Sequence, residues 1–313
     1  MPDPTAAPAV SAALSPPRAT RVTPARALVA AVAVVILWGV SFPVSRVAVR
    51  ELPPLALATG RFILAAALLW PAARRRGLSL ARADLPAVCL LGLLGVTLYF
   101  AFENYGLVYT TASHASLIVA TVPLGSAIVE AVQRRRPPRA LSVLGMAIAA
   151  VGVVVIVRPD GAGPRSLLGD LLVLGAMAAW VAYTFLARDL MARYPALLVT
   201  AATIAAGAAT LLPLAVVESA FRPLHAPSAG AWLSLAYLGL LCSAAGYLLW
   251  NLALPVLGVS VANNLLNVIP LVSVLTGVVF LGEPWTATIA IGGSLILAGV
   301  VVVERTGVER ERG

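Results

Sequence analysis

Residues 91–104 read LGLLGVTLYFAFEN, and residues 238–251 read LGLLCSAAGYLLWN. Sliding the chain by 147 positions aligns residues 91–155 with residues 238–302 without a gap, with 19 identities in 65 pairs. The matched residues include Asn104 with Asn251, Pro123 with Pro270, and Gly152 with Gly299. An apolar composition inflates matches of Ala, Val and Leu, but it does not supply matched Asn, Pro and Gly. The sequence therefore predicts an internal repeat.

The composition sets the class of protein. Hydrophobic residues make up 60% of the 313 residues and charged residues only 11%, whereas a soluble domain carries about 25% charged residues. A bilayer accepts so much apolar sequence as helices of about 20 residues, because backbone groups in hydrocarbon must bond within the chain. We therefore predict an all-α polytopic membrane protein, surrounded by a lipid bilayer.

The basic residues and the cysteines suggest no further partner. The net charge is +9, all 22 basic residues are arginine, and they are scattered between apolar runs. Phosphate binding needs clustered cations, so no nucleic-acid partner is predicted. Cys89 and Cys242 lie 153 positions apart inside apolar runs, and neither a disulfide, a metal site nor a cofactor is predicted.

Ten apolar stretches predict ten transmembrane helices. They are 27–47, 55–73, 85–104, 108–132, 140–157, 169–187, 195–216, 231–253, 258–281 and 286–304. The first five form a repeat over residues 27–157 and the last five a second repeat over residues 169–304. Residues 1–26 are rich in Pro and Ala and predict a disordered cytoplasmic tail, and residues 305–313 form another cytoplasmic tail. Cleavage of the first span as a secretory signal is the alternative, but a Pro-rich leader fits a retained helix better.

The arginines indicate the orientation of the chain. With a cytoplasmic amino terminus, the inside segments hold 16 of the 22 arginines, the outside loops hold five, and Arg61 lies within a span. This bias predicts that both termini are cytoplasmic. Each repeat has an odd number of spans, so the second copy enters the membrane from the opposite side. Inverted repeats of this kind serve alternating access, and a duplication kept only for packing is the alternative.

Short motifs in both halves carry a resemblance to a known family. They are Trp38-Gly39-Val40-Ser41-Phe42, Arg61-Phe62, Tyr109-Thr110-Thr111-Ala112, Gly169-Asp170 with Trp180 and Tyr183, and Gly282-Glu283-Pro284. Over about residues 27–304 the chain resembles the EamA-type family of the drug/metabolite transporter superfamily. The resemblance implies ten helices in two five-helix repeats. It also implies export of small metabolites, often amino acids or drug-like compounds, without a prosthetic group.

Two departures from internal symmetry limit what the resemblance implies. The first repeat has Arg136 where the second has Glu283, and the seventh span has no arginine answering Arg61. The two halves are therefore chemically unequal, and a symmetric site is not assumed.

The predicted function is secondary transport, the export of a small organic solute across the cytoplasmic membrane by alternating access. No Gly-x-x-x-x-Gly-Lys phosphate loop occurs in this chain, which excludes an ATP-driven pump. An intramembrane enzyme is one alternative, but neither Gly-x-Ser-Gly nor His-Glu-x-x-His is present. A non-transporting scaffold or sensor is another alternative, but it does not explain the function of the internal repeat. Association as a homodimer is left open.

Arg61 lies seven residues into the second span, where a cation costs about 3 kcal/mol or more unless it is paired or hydrated. It is interpreted either as a clamp for the carboxylate of a solute or as a packing lock to Glu103 or Asp170. Asp170, Glu130 and Glu283 lie close to the predicted span ends. They are interpreted mainly as solvated or capping groups.

Glu103 and His114 are the predicted proton-coupling residues. Glu103 and Asn104 end the third span and His114 lies about two turns into the fourth, so a helical hairpin brings them to one side of the bundle. Carboxylate and imidazole groups serve as proton relays in transporters. The alternative places Glu103 in water at the outer interface and His114 in a hydrogen-bonded interior.

Amides and prolines mark further candidate positions. Asn263, Asn267 and Pro270 share one face of the ninth span, where the amides are predicted to bind the solute together with Asn104. Hydrogen bonding between helices is the alternative use of these amides. Pro123 and Pro270 free backbone carbonyls and are predicted hinges.

Aromatic residues are predicted to line a central pocket. Trp38, Tyr99, Trp180 and Tyr183 are the candidates, and Trp38 and Trp180 occupy matched places in their repeats. Pockets for small molecules are usually walled by such side chains, with a few polar groups that set orientation. Ordinary packing or an interfacial belt is the alternative.

Overall fold

The regular structure is helical. A computed structural model describes residues 22–133, 135, 140–157, 167–223 and 226–311, and in these ranges it contains helices and connections but no strand. The prediction of an all-α protein is confirmed.

Seven α-helices are described before residue 158. They are α1 (Pro24–Ala48), α2 (Pro54–Arg75), α3 (Leu85–Gly92), α4 (Tyr99–Tyr109), α5 (Ala112–Val119), α6 (Val122–Gln133) and α7 (Ala140–Val157), with a 3₁₀ turn at Arg82–Asp84 before α3. Hydroxyl caps define two of the starts. The Thr23 side chain accepts a bond from the Arg26 N–H at 3.4 Å, and Thr111 accepts one from the His114 N–H at 3.1 Å. Such caps satisfy N–H groups that a helix start leaves open.

The later helices follow the same pattern. They are α8 (Leu167–Met191), α9 (Ala196–Phe221), α10 (Ala229–Ala236), α11 (Tyr247–Leu266), α12 (Val268–Leu281) and α13 (Ala287–Glu311). Gly258 interrupts α11 with a φ of 78°, a conformation that only glycine adopts without strain. The interruption lies between the predicted eighth and ninth spans.

Seven helical segments in the described ranges are long and apolar enough to cross a membrane. They are Pro24–Ala48, Pro54–Arg75, Arg82–Tyr109, Ala112–Gln133, Leu167–Met191, Ala196–Phe221 and Ala229–Gly258. The other predicted spans, 140–157, 258–281 and 286–304, coincide with shorter apolar helices at Ala140–Val155, Val268–Leu281 and Ala287–Val302. The count of ten crossings stays a prediction.

Helices from the two halves pack against each other. α1 contacts α11 and α12, α2 contacts α9, α4 contacts α8, and α7 contacts α13. The largest buried apolar cluster draws residues from both halves, whereas large apolar side chains such as Phe221 and Phe280 are exposed. An exposed apolar surface of this extent is typical of a protein that faces lipid.

Two π-helical segments interrupt otherwise α-helical spans. They are Leu93–Leu98, between α3 and α4, and Tyr237–Gly246, between α10 and α11. The 147-residue shift carries residues 93–98 onto residues 240–245, inside the second segment. The sequence predicts plain α-helix here, because an apolar run contains no local signal for the wider π turn.

The fourth and ninth predicted spans are each broken before a matched proline. The first break separates α5 from α6 at Ala120 and Thr121, and Pro123 follows in the first turn of α6. Asn267 separates α11 from α12, and Pro270 follows in the first turn of α12. Proline is tolerated at such a start because the N–H it lacks has no helical partner there.

Candidate functional site

A cavity lies between helices of the two halves. The space between its lining atoms amounts to about 460 Å³, part of which is open solvent. Its aromatic wall consists of Trp38, Phe42, Tyr99, Phe100, Trp180 and Tyr247. Ser41, Arg61 and Glu103 are the polar residues among its lining.

Arg61 is buried on the cavity wall with 2% of its surface exposed. Its Nε donates to the hydroxyl of Ser243 at 2.9 Å, and its guanidinium carbon lies 4.4 Å from the centroid of the Phe100 ring. Among the described residues, no carboxylate oxygen lies within 4 Å of the guanidinium. The cation is therefore held by a hydroxyl and an aromatic face, and not by the carboxylates of Glu103 or Asp170.

Glu103 lies on the same wall, 4% exposed, and not in water at an interface. The hydroxyl of Tyr99 donates to its Oε1 at 3.4 Å. Its Oε2 has no hydrogen-bond partner among the described residues. A buried carboxylate oxygen without a donor is costly, so this atom can accept a donor from a molecule in the cavity.

The tryptophans of the wall form one cluster of rings. The Trp38 centroid lies 5.6 Å from that of Trp180, 5.9 Å from that of Tyr247 and 5.3 Å from that of Trp250. Tyr99 joins the cluster at 5.5 Å from Trp180. Rings in tilted or edge-on contact fix each other's positions, and their faces attract cations.

The π-helical segments supply the polar contacts that orient this wall. The Tyr247 hydroxyl donates to the carbonyl of Gly95 at 2.8 Å, and Nε1 of Trp38 donates to the carbonyl of Cys242 at 3.1 Å. Gly95 and Cys242 are matched by the 147-residue shift. The two halves therefore hold opposite parts of the wall through carbonyls at equivalent positions.

Four predicted binding residues line the cavity, and Asn104 and Tyr183 do not. Trp38, Arg61, Tyr99 and Trp180 are on the wall. Tyr183 is buried behind it, with its ring centroid 5.1 Å from that of Trp180. Nδ2 of Asn104 donates to the carbonyl of Pro54 at 2.9 Å, which joins α4 to the start of α2.

Of the two predicted amides of the ninth span, only Asn267 has a described side chain. Asn267 is partly buried, is not part of the cavity lining, and its Oδ1 has no partner among the described residues. The side chain of Asn263 lies outside the part of the chain whose side chains are described.

His114 does not share the surroundings of Glu103. It is fully buried, and its Nδ1 lies 3.9 Å from Oδ2 of Asp170. The Thr110 hydroxyl donates to the other Asp170 oxygen at 2.7 Å. Asp170 is 2% exposed and faces His114 and Thr110, so its interpretation as a solvated group is wrong.

Two other carboxylates hold helix starts. Glu283 accepts the N–H groups of Ala112 and Ser113 at 2.9 and 3.0 Å, and also the Ser113 hydroxyl at 2.5 Å. Its capping role is confirmed. Glu218 accepts the N–H groups of Leu55 and Ala56 at 2.8 and 3.1 Å, at the start of α2. Both carboxylates neutralise open N–H groups and the positive end of a helix.

Sequence reasoning missed two aromatic residues of the wall and the residue that accepts a hydrogen bond from Arg61. Phe100, Ser243 and Tyr247 have no motif of their own. The repeat contains a signal for two of them, because Phe100 and Tyr247 are matched by the 147-residue shift and both carry an aromatic ring. Ser243 answers Val96 in the first copy, so only the fold identifies it as the partner of Arg61.

The described residues contain no group of three or more His, Cys, Asp or Glu side chains that could hold a metal ion. Cys89 and Cys242 are both free.

Comparison with known proteins gives a consistent result. The sequence profile of the EamA-like transporter family matches residues 25–158 and 167–305. An "Uncharacterized transporter" of Archaeoglobus fulgidus is 33% identical over 275 residues, which cover 87% of this chain and 96% of that protein. A "Probable terminal-alkyne amino-acid exporter" of Streptantibioticus cattleyicolor is 33% identical over 291 residues, which cover 92% of this chain and 96% of that protein.

A more distant relative and a solved structure complete the comparison. A "Probable amino-acid metabolite efflux pump" of Salmonella typhimurium is 28% identical over 290 residues, which cover 87% of this chain and 92% of that protein. A crystal structure of a protein that is 23% identical has a TM-score of 0.66, and covers 92% of this chain and 99% of the other. This likeness shows a shared fold.

Proposed function

This chain belongs to the EamA-like transporter family, and we propose that it exports a zwitterionic, amino-acid-like metabolite with an apolar side chain. It is a multi-pass membrane protein that transports a small molecule, and it is not an enzyme. The zwitterionic substrate rests on one observation. Arg61 and Glu103 carry opposite charges, lie buried on one aromatic cavity wall, and are not paired with each other.

The charges of the wall suit the two ends of an α-amino acid. The solute's carboxylate accepts hydrogen bonds from the Arg61 guanidinium, which presents a planar fork of donors. Its ammonium donates to Oε2 of Glu103 and lies against aromatic faces such as that of Trp180. The apolar side chain packs on the aliphatic part of the wall, where Val119 and Met177 lie. The names of two relatives, an amino-acid exporter and an amino-acid metabolite efflux pump, support this substrate class.

The membrane arrangement that goes with this function is two inverted five-helix repeats that cross the cytoplasmic membrane ten times. The gap-free match of residues 91–155 with residues 238–302 supports the repeat. The matched π-helical segments support it as well. The arginine bias of 16 to five supports cytoplasmic termini.

Transport then proceeds by alternating access. The breaks before Pro123 and Pro270 lie at matched places in the two repeats. The cavity residues Val122 and Ile269 directly precede the two prolines. Bending at these hinges moves the wall without unfolding a helix. Tyr183, Asn263 and Asn267 are proposed to contact the solute in the conformation that opens on the other side, and Asn104 to keep α2 and Arg61 in place.

Glu103 and His114 remain the proposed proton-coupling residues. Both are buried groups that exchange protons readily in proteins. Glu103 lines the cavity and His114 does not. Within this proposal, Glu103 therefore contacts the solute directly and His114 does not.

Binding to the purified protein tests the proposed substrate class. L-Leucine, isoamylamine and 4-methylpentanoate share one apolar side chain and differ only in their charged groups. Loss of one charged hydrogen bond weakens binding by about 1.5–3 kcal/mol, so each singly charged analogue is expected to bind about 10 to 150 times more weakly than leucine. Quenching of the fluorescence of Trp38 and Trp180 measures the affinities.

A cation such as a drug-like amine is the second candidate substrate, favoured by the open oxygen of Glu103 and the surrounding rings. Binding of isoamylamine as tight as that of leucine identifies a cation exporter and contradicts the zwitterion proposal. Glu103→Gln separates the two further, because it weakens an amine more than it weakens 4-methylpentanoate.

A further inference from the structure

We propose that His114 and Asp170 form a proton-binding site outside the solute cavity, through which one proton enters for each solute exported. The inference rests on the proposed function and adds the coupling ion and the residues that hold it. Neither residue lines the cavity. Both belong to a buried polar cluster between α5 and α8 that the solute site does not use.

The histidine is built to accept a proton. His114 is fully buried, and neither of its ring nitrogens has a hydrogen-bond partner among the described residues. Its Nδ1 is 3.9 Å from Oδ2 of Asp170, about 1 Å longer than a hydrogen bond. Buried polar atoms in proteins are almost always paired. An unpaired imidazole 3.9 Å from a buried carboxylate is therefore placed to gain a hydrogen bond when the ring takes up a proton.

Asp170 is held so that one oxygen stays available. Its Oδ1 accepts the Thr110 hydroxyl at 2.7 Å. It also lies in the first turn of α8, where the helix dipole favours a negative charge. Oδ2 is left to face the imidazole. One carboxylate oxygen is thus held by the Thr110 hydroxyl, and the other faces the imidazole ring.

Other charged groups around α5 do not replace Asp170. The elements packed against α5 are α1, α4, α7, α8, α12 and α13. They bring Arg46 from α1, Glu103 and Tyr109 from α4, and Glu283 from the end of α12. Glu283 already accepts bonds from Ala112 and Ser113. Residues 140–155 of α7 and 287–302 of α13 carry no charge.

The proton step is a single transfer. A hydronium ion gives its proton to Nδ1 of His114, so that one O–H bond breaks, one N–H bond forms and a water molecule is left. The ring becomes imidazolium, the new N–H donates to Oδ2 of Asp170, and the net charge of the pair changes from −1 to zero. Release on the opposite side of the membrane reverses the step. A small movement of α5 toward α8 closes the 3.9 Å gap.

Protonation acts on the cavity through the two helices that carry the pair. Val119, five residues after His114 on α5, lines the cavity, as do Met177 and Trp180 on α8. Attraction between His114 and Asp170 draws these parts of the wall together, and loss of the proton relaxes them. The helix pair of α5 and α8 therefore has two arrangements. Binding of either the proton or the solute changes their relative populations.

Proteoliposomes with an acidic lumen test the inference with radiolabelled L-leucine as the probe. At zero membrane potential, exchange of one proton for one leucine sustains about tenfold accumulation of leucine per pH unit, since each tenfold ratio corresponds to about 1.4 kcal/mol. Because leucine carries no net charge, each exchange moves one positive charge, and an applied potential changes the accumulation. His114→Gln and Asp170→Asn are expected to reduce the accumulation to the equilibrium ratio of one.

Two further variants accompany the replacements of His114 and Asp170, one as a control and one in case those proteins do not fold. His225→Gln removes the other histidine of the sequence and should accumulate leucine like the wild type. If His114→Gln or Asp170→Asn fails to fold, Thr110→Val removes only the donor to Asp170. This variant should slow the accumulation of leucine without slowing exchange between equal pools, because Asp170 loses the hydroxyl that positions it.

The possible outcomes separate this inference from the proposed function. Absence of leucine exchange between equal pools in the wild type contradicts the proposed function itself. Leucine exchange without accumulation under a pH gradient overturns the proton site while the exporter proposal stands. Full accumulation by His114→Gln or Asp170→Asn, or accumulation at the wild-type rate in Thr110→Val, also overturns it.

Discussion

At the level of single residues, the proposed function depends on two side chains of opposite sign that form no ion pair with each other. A cation within a span costs about 3 kcal/mol or more, and a hydroxyl and an aromatic face compensate Arg61 only in part. Glu103 accepts a hydrogen bond from Tyr99, and its Oε2 has no partner among the described residues. A solute with one group of each sign would complete both sets of contacts on the shared wall.

Replacement of Arg61 tests this directly. Arg61→Gln should weaken leucine binding by about 10- to 150-fold, because the solute's carboxylate loses charged hydrogen bonds of about 1.5–3 kcal/mol. Ser243→Ala, the matched control, removes only the group that accepts from Nε and should weaken binding by less than tenfold. Isothermal titration calorimetry measures both. An Arg61→Gln protein that aggregates while Ser243→Ala binds normally indicates a packing lock and not a clamp.

The sequence predicts the charged residues of the site better than their partners. Arg61, Trp38 and Trp180 stand out because a charge or a large ring deep in an apolar span is unusual. The sequence cannot indicate that Ser243 would meet Arg61, since 182 positions separate them. The sequence also failed to predict the pairing of Asp170 with His114, because a carboxylate close to a predicted span end is expected to face water.

At the level of helices, carboxylates of the second half accept hydrogen bonds from the first N–H groups of helices in the first half. Glu218 on α9 holds the start of α2, and Glu283 after α12 holds the start of α5. Apolar runs and hydroxyl caps in the sequence predict where most helices lie. They do not predict the π-helical segments, whose carbonyls bond to Trp38 and Tyr247 far away in the chain.

Removal of one long-range cap should destabilise the contact between the halves. Glu283→Ala leaves two N–H groups and a hydroxyl without an acceptor. The expected loss is about 1–3 kcal/mol of stability, seen as a lower melting temperature in detergent. Glu51→Ala is the control, because its bonds to Ser228 are exposed. Equal melting temperatures for the two variants would show that the Glu283 cap contributes nothing.

The close contact of α7 with α13 depends on glycine. A Cβ at Gly152 would lie 2.7 Å from the carbonyl oxygen of Gly292 and 2.8 Å from the Ile296 nitrogen. These backbone atoms cannot move without separating the helices, so Gly152→Ala should lower the stability by about 1–3 kcal/mol. In α10, Gly230→Ala meets only Ser228 at 3.5 Å and should stabilise the helix slightly. Thermal unfolding of both variants tests the packing, and an unchanged Gly152→Ala protein contradicts it.

At the scale of the whole molecule, the account requires ten crossings with both termini in the cytoplasm. Fusions after residue 163 and after residue 313 distinguish this topology from one with an odd count. Alkaline phosphatase should be active only at residue 163, and green fluorescent protein should fluoresce only at residue 313, since each reporter works on one side of the membrane. The same reporter working at both sites would rule out five crossings in the second half.

We expect a zwitterion to cross the membrane through the shared cavity. A counterflow assay measures this as exchange of unlabelled for labelled solute. Proteoliposomes loaded with unlabelled L-leucine and diluted into a trace of labelled leucine should take up label transiently above its equilibrium level. Isoamylamine and 4-methylpentanoate should support little exchange, and Arg61→Gln should abolish it. Absence of counterflow in the wild type, or equal counterflow in Arg61→Gln, would contradict the account.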